Sequence, residues 1–179
     1  MINKDVDSIL VTEEQIVNRC DEIGKQISKD YVGKRPILIA LLKGSVPFLS
    51  ELMKHIDIDM EIEFMDVSSY SGTESTGEVK IVKDLDCSIK GLDVIIIEDI
   101  IDTGRTLKTV KQLLYSKGAN SVKVASLLDK KERRVVDIEG DYIGFNIPDA
   151  FVIGFGLDFN QKYRNLPYVG VLKEDCYKE

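Results

Sequence analysis

The sequence predicts an α/β protein with a single domain, in which helices flank a mostly parallel central sheet. Two observations support this fold class: short apolar runs typical of buried strands recur along the 179 residues, and segments with helical periodicity alternate with them. Parallel strands need long crossover connections, which are usually helices, so the alternation favours parallel pairing. No internal repeat, low-complexity tract or linker divides the chain.

The first predicted helix begins after Thr12, where Thr12 and Gln15 match the pattern of a capping box. Apolar residues then recur at helical spacing, at Ile16, Val17, Cys20, Ile23 and Ile27. Residues 36–42 have the pattern of a buried strand, and the turn at residues 43–45 precedes a second helix that ends near His55. Further strands are predicted at residues 60–65, 79–82, 94–97 and 122–128.

The most informative segment follows the strand at residues 94–97. It contains Glu98 and Asp99, then a polar turn made of Asp102, Thr103, Gly104, Arg105 and Thr106, and then a helix with apolar residues at Leu107, Val110, Leu113 and Leu114. Free backbone N–H groups and the helix dipole would meet a phosphate at this turn, at the sheet edge where parallel sheets bind ligands. Three carboxylates within five residues also call for a cation, most simply a divalent metal. The alternative is that Asp102 or Thr103 caps the helix and that Glu98 and Asp99 merely end a strand.

Residues 97–106 resemble the phosphoribosyl pyrophosphate (PRPP) signature of the purine phosphoribosyltransferases. The hypoxanthine-guanine branch of that family is matched, in order and from about Ile9 to Leu172, at residues 42–45, 68–70, 123–130, 147–154, 157–160 and 163–166. The resemblance implies the type I phosphoribosyltransferase fold, with a small base-binding hood formed by the chain termini, mainly by residues 140–179. It also implies purine salvage, in which 5-phosphoribosyl passes from PRPP to N9 of hypoxanthine or guanine and gives IMP or GMP plus pyrophosphate.

The resemblance also implies roles for the polar residues. Glu98 and Asp99 would hold the ribose hydroxyls directly or through Mg²⁺, with Asp158 as a second metal ligand. Asp102 would be the general base at purine N7. The 5′-phosphate would be held by Asp102, Thr103, Gly104, Arg105 and Thr106, and pyrophosphate by Lys43, Gly44 and Arg164. Without the resemblance, Arg164 would be interpreted as a surface ion pair and Asp158 as an ordinary loop residue.

For the base, the resemblance implies that Lys130 donates to purine O6, that Phe151 stacks on the ring and that Val152 meets the pyrimidine edge, with Asp158 nearby. The alternatives are a solvated charged stretch at residues 130–134 and a plain core segment at residues 151–153. A lysine donor favours a 6-oxopurine over adenine. The balance between hypoxanthine, guanine and xanthine stays open.

Residues 68–78 are almost entirely polar, with Tyr70 as their one large apolar side chain. Long polar loops in compact domains are either disordered or functional lids. With the resemblance, a mobile lid is favoured, which brings Ser69 and Tyr70 over the reacting centre and excludes water.

The net charge of −7 argues against nucleic acid as a general partner, so we expect small-molecule substrates, namely PRPP and 6-oxopurines. No membrane-spanning run or signal peptide is evident, which favours a cytoplasmic location, and three widely spaced cysteines suit free thiols. By analogy with relatives, a homo-oligomer is expected, either a dimer or a tetramer. Two rival functions are a PRPP-binding regulator, which need not keep a base pocket, and a non-catalytic assembly subunit. A xanthine-preferring transferase is the nearest rival among enzymes.

Overall fold

The structure is a computed structural model that describes residues 4–69 and 79–177. Its strands are Val6–Val11 (β1), Ile37–Leu41 (β2), Glu61–Ser69 (β3), Val79–Lys83 (β4), Asp93–Ile101 (β5), Ser121–Asp129 (β6), Tyr142–Asn146 (β7), Val152–Ile153 (β8) and Val169–Leu172 (β9). Its α-helices are Glu13–Asp30 (α1), Val46–Leu52 (α2) and Arg105–Ser116 (α3). Short 3₁₀ turns follow at Met53–His55, Lys131–Arg133 and Glu174–Cys176.

The capping box predicted for α1 is confirmed. The Thr12 hydroxyl accepts a hydrogen bond from the backbone N–H of Gln15 (3.2 Å), and the Gln15 side-chain oxygen accepts one from the N–H of Thr12 (2.8 Å). Both N–H groups would otherwise lack a partner at the helix start. The apolar stripe of α1 is buried at Ile16, Cys20, Ile23 and Ile27.

The larger sheet confirms the predicted fold class. Its strand order is β4-β3-β2-β5-β6-β7, and every neighbouring pair is parallel except β3 with β4. The central strand β2 alternates its side chains between two cores, because successive residues of a strand point to opposite faces. Leu38 and Ala40 face the core that contains α1 and α2, while Ile39 and Leu41 face the core that contains α3.

A smaller antiparallel sheet, with the order β1-β9-β8, joins residues near the two ends of the chain. The sequence alone predicted none of the strands β1, β7, β8 and β9. Residues 142–146 pair with β6 in the larger sheet, and the smaller sheet takes its two later strands from Val152–Ile153 and Val169–Leu172.

Strand β5 continues four residues beyond its predicted end to Ile101, so Glu98 and Asp99 lie within the strand. The second helix changes to a 3₁₀ turn after Leu52, and β3 continues beyond the predicted end to Ser69. Most of the predicted lid, residues 70–78, lies outside the described residues. Among residues 4–69 and 79–177, no helix is long and apolar enough to cross a membrane.

The fold gathers the predicted site at one edge of the larger sheet. Strands β2, β5 and β6 are neighbours and run in the same direction, so their carboxyl ends lie side by side. Lys43 follows β2, Glu98 and Asp99 stand near the end of β5, and Lys130 follows β6. Residues distant in sequence are therefore brought to a common edge by the order of the strands.

Candidate active site

The turn at residues 102–106, called the phosphate turn below, leads from β5 into α3. Gly104 is the N-cap of α3 and has a φ of +81°, which favours glycine. Neither Asp102 nor Thr103 occupies the N-cap position, so the simple capping alternative is wrong. A cavity of about 200 Å³ is lined by Glu98, Asp99, Ile100, Ile101, Asp102, Thr103, Gly104, Thr106 and Leu107. Arg105 is exposed and does not line this cavity.

The backbone of the phosphate turn is anchored by the segment after β6. Arg134 donates hydrogen bonds to the carbonyl of Asp102 and to the buried carboxylate of Asp129. The N–H of Val135 donates to the carbonyl of Thr103 (3.1 Å). These contacts, made by the segment after β6, hold the turn in place. Arg134 was not singled out from the sequence.

Glu98 and Asp99 form an acidic pair beside the turn. Removal from water raises the pKa of Glu98 well above its ordinary value, and the neighbouring charge of Asp99 adds to this effect. Removal from water also raises the pKa of Asp99, although the Ile100 N–H, which donates to Asp99 Oδ1 (2.7 Å), and the positive charge of Arg164 act in the opposite direction. A carboxylate pair with raised pKa values is suited to a cationic ligand.

The turn after β2 lies directly against this pair. A Cβ atom added at Gly44 would fall 1.6 Å from Asp99 Oδ2, so a side chain at this position would displace the carboxylate. The Leu42–Lys43 peptide bond is cis, and Lys43 is exposed. The predicted pyrophosphate residues Lys43 and Gly44 are therefore placed beside Asp99.

The loop after β8 brings Arg164 to the same place. Its guanidinium lies 2.8 Å from Asp158 Oδ1 and donates to the carbonyl of Gly156 (2.7 Å), and that glycine lies against Gly44. Asp158 also accepts a hydrogen bond from the N–H of Gln161 (2.8 Å). Within the described chain, no three His, Cys, Asp or Glu side chains lie close enough to hold a metal on their own. In this structure Asp158 forms an ion pair with Arg164 and orients it.

Asp102 is the first residue of the phosphate turn and contacts Arg133, next to the residues expected at the base. Its Oδ1 is buried and accepts no hydrogen bond from the part of the protein that is described. Arg133 Nε lies 2.7 Å from this oxygen, at ion-pair distance but outside hydrogen-bond alignment. An unsatisfied buried carboxylate oxygen is costly, which suits a position that receives a donor from a ligand.

Lys130 is buried at the end of β6, so the solvated alternative is wrong for this residue. Its ammonium donates to the carbonyl of Ala150 (2.7 Å) and to Asp149 Oδ1 (3.4 Å). A lysine ammonium carries three N–H donors, and these two contacts leave one for a ligand.

Phe151 is 39% exposed and is therefore not a plain core residue, whereas Val152 is buried in β8 and pairs with Val171. The Phe151 ring stacks on Tyr177 with centroids 4.9 Å apart, and it meets Phe159 edge-on at 5.5 Å. The expected stacking residue is thus already fixed by two aromatic rings. Of the two expected lid residues, Ser69 ends β3 and Tyr70 lies outside the described residues.

Comparison with known proteins agrees with this arrangement. The phosphoribosyl transferase domain model matches residues 7–160. The chain belongs to the phosphoribosyltransferase family. The family resemblance predicted from residues 97–106 is therefore confirmed. This phosphoribosyltransferase is an enzyme of the pentosyltransferase class.

Several relatives match this phosphoribosyltransferase over its full length. The hypoxanthine-guanine phosphoribosyltransferase of Streptococcus thermophilus is 57% identical over 180 residues, which is 100% of both chains, and that of Streptococcus mutans is 56% identical over the same extent. Among solved structures, a hypoxanthine phosphoribosyltransferase from Staphylococcus aureus is 54% identical, with a TM-score of 0.95 over 98% of this chain and 96% of that one.

Four residues of the site were missed by sequence reasoning: Arg133, Arg134, Asp149 and Tyr177. Arg133 and Asp149 looked like ordinary surface charges, and Tyr177 lies close to the chain end. Two of them stand close in sequence to predicted base residues, which was a partial signal: Asp149 is two residues before Phe151, and Arg133 is three residues after Lys130. Only the contacts between these segments reveal that they meet.

Proposed function

We propose that this phosphoribosyltransferase is a purine salvage enzyme that transfers the 5-phosphoribosyl group of PRPP to N9 of hypoxanthine or guanine, giving IMP or GMP and pyrophosphate. The observation that carries the proposal is the position of Asp102, which belongs to the phosphate turn and also contacts the base side of the site through Arg133. Its buried Oδ1 accepts no hydrogen bond from the described residues, so it has capacity to accept one from a ligand. The full-length relatives named for this activity support the same reaction.

The phosphate turn binds the 5′-phosphate. Backbone N–H groups at the start of α3 and the positive end of its dipole favour a dianion there, and Thr103 and Thr106 add hydroxyl donors. Arg134 fixes the backbone of the turn, so these donors are in place before the substrate arrives. The ribose hydroxyls then lie beside Glu98 and Asp99.

During the transfer, the bond from ribose C1′ to pyrophosphate breaks while the bond from C1′ to purine N9 forms, and the proton at N7 passes to Asp102. Lys43, Gly44 and Arg164 bind the departing pyrophosphate, with Arg164 held in position by Asp158. Ser69 and Tyr70 close over the centre and exclude water, which would otherwise hydrolyse the charged sugar.

Glu98 and Asp99 fit a divalent cation, since they are adjacent oxygen ligands with raised pKa values. Mg²⁺ usually binds one or two protein carboxylates and completes its coordination with substrate phosphates and water, which agrees with a site that offers two carboxylates side by side. When bound, Mg²⁺ supplies positive charge that stabilises the pyrophosphate leaving group. Asp158 is the expected second ligand.

The base binds between Phe151 and the Lys130 ammonium. The spare N–H of Lys130 donates to purine O6, while an exocyclic amino group at this position would leave both the amine and the ammonium unpaired. We assign the role of hood to the smaller sheet, because β8 directly follows Phe151. A homo-oligomer, either a dimer or a tetramer, and a cytoplasmic location complete the proposal.

The test is a steady-state assay with PRPP and Mg²⁺ that offers hypoxanthine, guanine, xanthine and adenine separately. We expect IMP and GMP formation with little use of adenine. Lys130→Gln should raise the KM for hypoxanthine, whereas Lys131→Gln, a matched charge loss at the exposed neighbour, should not. Efficient use of adenine by the wild type, or preference for xanthine, would contradict the assigned base. PRPP binding without nucleotide formation from any base would favour the regulator.

A further inference from the structure

Arg133 contacts two different parts of the base side of the site. It lies in the 3₁₀ turn Lys131–Arg133, directly after β6 and Lys130. Its Nε is 2.7 Å from Asp102 Oδ1, and its Nη1 donates to both oxygens of Asp149 at 3.3 Å. One planar guanidinium therefore spans two carboxylates, a geometry that a lysine ammonium cannot reproduce.

These contacts form a chain of alternating charges from Asp102 through Arg133 and Asp149 to Lys130. The negative charge of Asp102 is the main cause that raises the pKa of Arg133, and the hydrogen bond to Asp149 adds to it. Desolvation raises the pKa of Asp149, but the contacts with Arg133 and then with Lys130 outweigh it and lower this pKa. The two ends of the chain are the residues that would meet the base at N7 and at O6.

We propose that Arg133 is a positioning residue for the purine: it orients the Asp102 carboxylate and engages Asp149, so that Asp149 does not draw the Lys130 ammonium away from the base. The inference rests on the proposed function, and it adds a residue that does not itself touch the base.

The orientation of Asp102 depends on Arg133 because its Oδ1 accepts no hydrogen bond from the described residues. Arg133 is the one cation within ion-pair distance of this carboxylate in that part of the chain. Without it, the carboxylate is free to rotate away from the direction of N7. This change affects proton transfer and therefore kcat.

The position of the Lys130 ammonium at the base depends on Arg133, which acts through Asp149. Asp149 has two cationic partners among the described residues, Arg133 and Lys130. If Arg133 is removed, the full charge of Asp149 acts on Lys130, whose contact with it shortens from the present 3.4 Å and draws the ammonium away from O6. This change weakens base binding and therefore raises KM.

The experiment is a double-mutant cycle with Arg133→Gln, Asp149→Asn and the combined variant, assayed with hypoxanthine at saturating PRPP. The contacts are partly exposed, so we expect Arg133→Gln to raise the KM for hypoxanthine and lower kcat, each by roughly two- to fivefold. Asp149→Asn added to Arg133→Gln should restore KM but leave kcat low. The KM for PRPP should stay unchanged, because Arg134 and Val135 hold the phosphate turn.

Lys131→Gln, with the same charge loss in the same turn, should change neither parameter, and Arg133→Lys should rescue at most one of them. The melting temperature of each variant separates these effects from unfolding. If Arg133→Gln matches the wild type, or if adding Asp149→Asn does not restore the KM for hypoxanthine, the inference is wrong while the proposed function stands. If the wild type forms no nucleotide from hypoxanthine, the proposed function fails and the inference fails with it.

Discussion

The two ends of β5 carry acidic residues in opposite surroundings. At the amino end, Asp93 accepts hydrogen bonds from the Ser121 hydroxyl (2.5 Å) and from Asn120 (2.8 Å), and it lies 3.3 Å from the Lys34 ammonium. These partners, the Ser121 hydroxyl first, lower the pKa of Asp93. At this end the protein itself satisfies the carboxylate.

At the carboxyl end, Glu98 and Asp99 stand next to each other and their pKa values are raised by removal from water. Acidic residues on one strand therefore serve stability at one end and, under the proposed function, ligand binding at the other. The difference lies in whether the protein supplies the compensating donors or leaves them to a ligand, which is a common feature of functional sites.

The largest expected effect is that of Asp102→Asn, just beyond the carboxyl end. Loss of a general base typically lowers kcat by about 10² to 10⁴-fold, and the PRPP affinity should change little because the turn is held through backbone contacts. Steady-state IMP formation and PRPP titration measure the two quantities. Asp93→Asn is the matched control, with kcat expected within about twofold of the wild type. Equal losses in the two variants would contradict the distinction between the ends.

The second prediction concerns the close approach of Gly44 to the acidic pair. In Gly44→Ala the new Cβ would lie 1.6 Å from Asp99 Oδ2, so the carboxylate and the turn must separate. A misplacement of about 1 Å costs roughly 10²-fold in kcat/KM. Gly91→Ala is the control for a strained glycine substitution away from the site, since Gly91 has a φ of +78° but a Cβ there would meet nothing within 4 Å. Full activity of Gly44→Ala would show that Asp99 needs no fixed position.

The third prediction concerns the cation. Glu98→Gln removes one of the two adjacent oxygen anions, so the Mg²⁺ concentration that gives half-maximal activity should rise about tenfold. A chelator should abolish the activity of the wild type. Asp93→Asn should leave the Mg²⁺ dependence as it is, because its partners are protein groups. An unchanged Mg²⁺ requirement in Glu98→Gln would show that Glu98 binds the cation neither directly nor through the substrate.

The smallest effect is a pH dependence of stability with opposite signs at the two ends. The lowered pKa of Asp93 contributes stability above its ordinary value of 3.8, and this contribution is lost as the pH falls through the lowered value. The raised pKa of Glu98 has the opposite consequence: stability is lost as the pH rises from its ordinary value of 4.5 towards the raised value, because only the unfolded chain ionises freely there.

Melting temperatures measured without metal test the predicted signs of the two stability changes. At about pH 7, Asp93→Asn should melt roughly 2–4 °C below the wild type, and Glu98→Gln a similar amount above it. Both differences should shrink at acid pH, and Mg²⁺ with PRPP should reverse the advantage of Glu98→Gln. A Glu98→Gln variant that melts below the wild type without metal would contradict the raised pKa.

Much of the phosphate side of the site is local in sequence. Residues 98–106 contain the acids, the turn and the helix start in nine consecutive positions, so periodicity and turn chemistry were enough to predict their arrangement. The base side is not local: Lys130, Asp149, Phe151 and Tyr177 come from separate segments. The spacing of these residues has no meaning without the fold, and a charged stretch such as residues 130–134 looks solvated until the burial of Lys130 is known.

The sequence by itself determined the α/β fold class, the capped first helix and the phosphate turn, because these depend on hydrophobic period and on backbone groups within a few residues of each other. Only the tertiary structure decided which charged side chains meet. Arg133 lies 31 positions from Asp102 and 16 from Asp149, yet it contacts both, because β5 and β6 are parallel neighbours whose carboxyl ends share one edge. Side-chain charges interact over a few ångströms in space, whatever their separation along the chain.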